Sequence, residues 1–161
     1  MYEQCTCVLV LGNYVDFSIV LEYTDASAWI KTWTFLDHLV TAIDHVLPLG
    51  RQARLQVYVF GRATAKLLST MSNYDVSKVR LLLARTQLDI TGTAASFVFT
   101  ALNDVRDDLR ANLNRDRGVG NAVILLTVGE SEVLFARAAR TILQSLMDHR
   151  VHCIIVGKYT V

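Results

Sequence analysis

The chain carries almost no excess charge of either sign: its formal net charge is +1. Without a basic surplus there is no reason to expect nucleic acid or an anionic membrane as the main partner. Nor does any run approach the roughly 20 apolar residues needed to cross a bilayer. The apolar stretch from Cys7 to Leu11 lacks a basic segment before it and a convincing cleavage site after it, so it does not read as a signal peptide. No Asn-x-Ser/Thr acceptor occurs, which leans weakly against secretion. Internal repeats and linkers are missing too.

Several chemistries are excluded by missing motifs. There is no Gly-x-x-x-x-Gly-Lys-Ser/Thr phosphate loop, no Gly-x-Gly-x-x-Gly after the first strand and no Gly-x-Ser-x-Gly elbow. The histidines, His38, His45, His149 and His152, lack metal-ligand spacing. His38 and His45 are placed to share a helix face, but solvent or boundary positions explain them better. Cysteine is scarce and odd in number: Cys5, Cys7 and Cys153. One Cys-x-Cys pair with no second pair cannot complete a tetrahedral site. Two readings stand for these thiols. They are small buried or surface side chains, or Cys153 pairs with Cys5 or Cys7 or with a neighbouring domain.

What is present is a rich core. The chain has 161 residues, of which 52% are hydrophobic and 19% charged, which excludes a disordered chain and suits one full domain over residues 1–161. The dominant rhythm alternates strand and helix. Phe17 to Leu21 reads as a buried strand, followed by a helical pattern with Trp33, Leu36, Leu39, Val40, Ile43, Val46 and Leu47 at spacings of three and four. Pro48 and Gly50 end that helix. Leu55 to Phe60 is the next strand, and Ala65 to Ser69 a short edge strand. Tyr74, Val76, Val79, Leu82 and Leu83 line a helix face, with Asn73 or Asp75 as its N-cap. A long helix from about Ala94 to Leu113 has an apolar side of Val98, Ala101, Leu102, Val105 and Leu109. Its other side, Asp104, Arg106, Asp107, Asp108 and Arg110, reads as solvated. Ala122 to Leu126 is a near-continuous apolar run of the kind that central parallel strands require. A last helix, from about Val133 to His149, leads to a final strand from Val151 to Val156.

Strands alternating with right-handed crossover helices force a three-layer, Rossmann-like, doubly wound α/β fold. Its sheet is mostly parallel, with one antiparallel edge strand and helices on both faces. Residues 1–15 lie outside that core, as an extension or an extra strand. Ligands of such sheets bind beyond the carboxyl ends of the strands. The segments to inspect are therefore the loops Thr24 to Ile30, Thr91 to Ser96 and Thr127 to Ser131.

These segments, Asp25-Ala26-Ser27-Ala28-Trp29-Ile30, Gly92-Thr93-Ala94-Ala95 and Leu126-Thr127-Val128-Gly129-Glu130-Ser131, look like the loops of a von Willebrand factor type A domain. Val46 to Gly50, Ala101 to Asp107 and Arg117-Gly118-Val119 resemble flanking stretches of that family, the last in its matrix-type members of collagens and matrilins. The resemblance covers about residues 16–157. It implies a metal-ion-dependent adhesion site, to which Asp25, Ser27 and Thr93 match. Trp29 stands where the second serine belongs, and Val128 where the last aspartate belongs. A Mg²⁺ or Mn²⁺ site loses an oxygen ligand by the first change and a negative charge by the second, so any binding is expected to be weak. Glu130 and Asp89 are the carboxylates that stand in reserve. Asp25 and Ser27 equally suit turn hydrogen bonds, and Thr93 a helix cap. Trp29 is either an exposed binding anchor or a plug packed over the vacated metal position.

The resemblance therefore implies a non-catalytic, secreted, matrix-type domain that binds a protein partner, such as collagen or another matrix protein, mostly without metal or other cofactor. Trp29 and Glu130 are the candidate partner contacts. An intracellular, cytoplasmic interaction scaffold of the same fold is the alternative. A small α/β enzyme holding an anion at the Thr91-Gly92-Thr93 loop is a weaker third, since no base or nucleophile surrounds that loop.

Overall fold

The computed structural model describes residues 14–23, 26–61, 65–68, 74–85, 98–113, 120–127 and 133–157. The elements run β1 (Val15–Tyr23), α1 (Ala26–Val46), β2 (Ala53–Gly61), β3 (Ala65–Leu68), α2 (Val76–Arg85), α3 (Val98–Leu113), β4 (Gly120–Thr127), α4 (Val133–Asp148) and β5 (Val151–Gly157). The strands form one sheet in the order β3-β2-β1-β4-β5. β1 pairs in parallel with β2 and β4, and β4 in parallel with β5. β3 lies antiparallel on the outer side of β2. The chain is thus the doubly wound α/β fold that its strand-helix alternation predicts.

Period-two alternation along the strands divides the core between the two faces. Phe17, Ile19 and Leu21 of β1, Leu55, Val57 and Val59 of β2 and Ile124 of β4 pack against Leu36, Val40 and Ile43 of α1 and Val79 and Leu83 of α2. Val20, Tyr58, Val123 and Leu125 face the other way, toward Leu102, Val105 and Leu109 of α3 and Ile142, Leu143 and Leu146 of α4. Burial on both faces is why β4 reads as an almost unbroken apolar run from Ala122 to Leu126.

Polar exceptions to that pattern fall on the α3/α4 face, and they are paired. Asp16 of β1 meets Arg54 of β2, its neighbour in register, in bonds of 2.7 and 2.6 Å. One step along, Gln56 Nε2 donates to Ser18 Oγ at 2.6 Å, both side chains being buried. A further step places Tyr58, whose hydroxyl donates to Asp108 of α3. Among the described residues no buried side-chain nitrogen or oxygen lacks a partner.

Local signals set the element ends. The Asp75 carboxylate accepts from the Lys78 amide at 2.8 Å, so Asp75 is the N-cap of α2. After α1, the Pro48 carbonyl accepts from the amides of Arg51, Gln52 and Ala53, and Gly50 takes a positive φ of 80° that glycine adopts without strain. Arg150 stops the chain after α4 at a φ of 61°.

Two expectations change. The segment from Thr24 to Ile30 is not a loop throughout: α1 begins at Ala26, so Ser27, Trp29 and Ile30 are helical. Asp108 is not on a fully solvated face, because it reaches a buried tyrosine. Cys153 carries a free, half-buried thiol, in keeping with the first of the two thiol readings; Cys5 and Cys7 lie outside the described residues.

Candidate functional site

The carboxyl ends of the parallel strands bring Tyr23, Gly61, Thr127 and Gly157 to one edge of the sheet. The Leu21–Leu126 register places Glu22 of β1 beside Thr127 of β4. Thr127 Oγ1 donates to Glu22 Oε2 at 2.5 Å, which holds the carboxylate at the strand tips. The first turns of α1 rise directly from this edge. Lys31, Thr32 and Phe35 on one flank of α1 join Glu22, Leu126, Thr127 and Val156 to enclose a concavity of about 270 Å³. Its walls are mainly apolar, and Phe35 and Val156 remain 46% and 44% exposed. Among the described residues the hollow joins a greasy wall to a carboxylate that accepts from a hydroxyl, the usual make-up of a binding concavity.

Trp29 lies on the core-facing side of the same helix. Its ring meets Tyr23 edge-on at 5.4 Å and Trp33, one turn further on, at 5.7 Å. Both tryptophans are half-buried and pack against the α1/α2 core. The four-residue spacing puts them one above the other on one helix face. This packing ties the start of α1 to the end of β1. Ser27 is exposed on the first turn of α1. Asp25, Asp89, Thr93, Val128 and Glu130 lie outside the described residues.

Sequence reading missed Glu22. Its signal is visible in hindsight: it is the one charged residue between Phe17 and Tyr23, at the end of a strand buried on both faces. Such a charge needs a partner or an outlet to solvent. The register supplies Thr127.

The fit of a metal ion can be tested on these donors. Among the described residues no three His, Cys, Asp or Glu side chains come together. The carboxyl end there offers one carboxylate, Glu22, already bonded to a hydroxyl. A Mg²⁺ ion needs near-octahedral oxygen coordination with carboxylate charge nearby, and this described set does not provide it.

This arrangement is a von Willebrand factor type A-like fold. No family model and no curated protein matches the sequence, so the likeness is one of structure. Proximal thread matrix protein 1 from the mussel byssus superposes with a TM-score of 0.68 at 16% identity, over 91% of this chain and 38% of that one. The manganese-loaded TRAP protein of Plasmodium vivax gives 0.69 at 19% identity, over 94% of this chain and 59% of that one. The TFIIH p34 N-terminal domain gives 0.52 at 12% identity, over 91% of this chain and 82% of that one. The chain therefore spans less than two thirds of the length of its mussel and Plasmodium neighbours. Another mussel thread protein structure has zinc in its metal-ion-dependent adhesion site.

Proposed function

We propose that this is a non-catalytic protein-binding domain of the adhesion type, working in an extracellular matrix and binding its partner through the carboxyl end of the sheet without dependence on a metal. The observation that carries the reading is the carboxyl end itself. In this fold it presents an apolar hollow with one described carboxylate, and the metal-site positions matched in sequence include Trp29 and Val128 in place of oxygen donors. The likeness to a thread matrix protein supports the matrix setting, with collagen or another matrix polymer as the partner. Asp25, Ser27 and Thr93 are then remnants of a metal site, and Trp29 and Glu130 flank the contact surface.

The test is a binding screen of the domain against collagens and other matrix proteins, run in Mg²⁺ and in chelator. Binding of equal strength in both conditions is expected. Binding abolished by chelator overturns metal independence, and binding to no matrix protein overturns the matrix reading.

A second reading is favoured by the likeness to the TFIIH p34 N-terminal domain, most of whose length this chain matches. It is an interaction scaffold of the same fold inside the cell. Localisation of the full-length protein separates the two.

A further inference from the structure

We draw no further inference here: the strongest candidate, the outer edge of β5 with its exposed Ile155 and Val156, carries none, because nothing among the described residues shows what covers it.

Discussion

Asp16 and Arg54 face each other across the amino-terminal ends of β1 and β2, joined by two hydrogen bonds of 2.7 and 2.6 Å in a fork-to-fork pair. The Asp16 side chain is 4% exposed and the Arg54 side chain 23%. Removing one partner therefore strands a buried carboxylate, whereas removing both does not. Arg54→Met is expected to cost about 2–3 kcal/mol, toward the low side for a buried pair because the guanidinium is partly solvated. Asp16→Leu with Arg54→Met should recover much of that loss. Urea unfolding of the single and double variants checks it; a double variant less stable than Arg54→Met alone contradicts the argument.

Tyr58 ties β2 to α3 through Asp108. Burial, followed by the Asp108 hydrogen bond and the nearby charges of Asp108 and Asp104, raises the phenol well above its ordinary value. The sign of the pH effect follows. A raised folded-state pKa means that the native state holds its proton where the unfolded chain gives it up. This contribution is complete below about pH 10 and is lost as pH rises above that value. Tyr58→Phe should cost about 1 kcal/mol at neutral pH, the net worth of one hydrogen bond. It should also flatten the alkaline loss of stability. A variant whose stability falls as steeply as the natural domain's above pH 10 shows that another group is responsible.

The same reasoning applies to Cys153, whose thiol is pushed up to about 11 by desolvation. At pH 8 it should be alkylated by iodoacetamide about a hundredfold more slowly than a free thiol of ordinary pKa, because the thiolate is the nucleophile. Denaturant should abolish the difference. Mass mapping of the modified cysteine reads this directly. Rapid modification of Cys153 in the folded domain would mean that the final strand opens to solvent.

How much of this was legible in the sequence depended on the range of the interaction. Element order came from apolar periodicity, a local property; capping chemistry narrowed the start of α2 to Asn73 or Asp75, and the structure selects Asp75, within one turn of the amide it holds. Asp75→Ala should accordingly cost about 1 kcal/mol in thermal or urea melts. The pairs that matter for the site are long-range. Glu22 and Thr127 are separated by 105 residues, and Tyr58 and Asp108 by 50. Periodicity says which way such a side chain points but not what it meets, so Asp108 read as a solvated helix residue and Glu22 was passed over. The motif alignment drew attention to Asp25, while the register of β1 and β4 brings Glu22 to the tip.

The last prediction concerns Trp29 and the metal site together. Its ring contacts Tyr23 and Trp33 and packs on the core, so Trp29→Ser removes packing that the serine cannot replace. A loss of about 2–3 kcal/mol is expected, less than for a fully buried tryptophan because the side chain is only half-buried. In the natural domain, Mg²⁺ and Mn²⁺ should leave the melting temperature unchanged. Trp29→Ser with Val128→Asp returns the oxygen ligand and the carboxylate that the family's site calls for. It should be less stable than the natural domain without metal and should gain melting temperature as Mg²⁺ is added, as any ligand selective for the native state requires. Each single change should respond less, since both groups act on one ion. Thermal melts and calorimetry with and without metal decide the matter. A natural domain stabilised by Mg²⁺ would place a working metal site at the carboxyl end and make Glu22→Gln the next variant to measure.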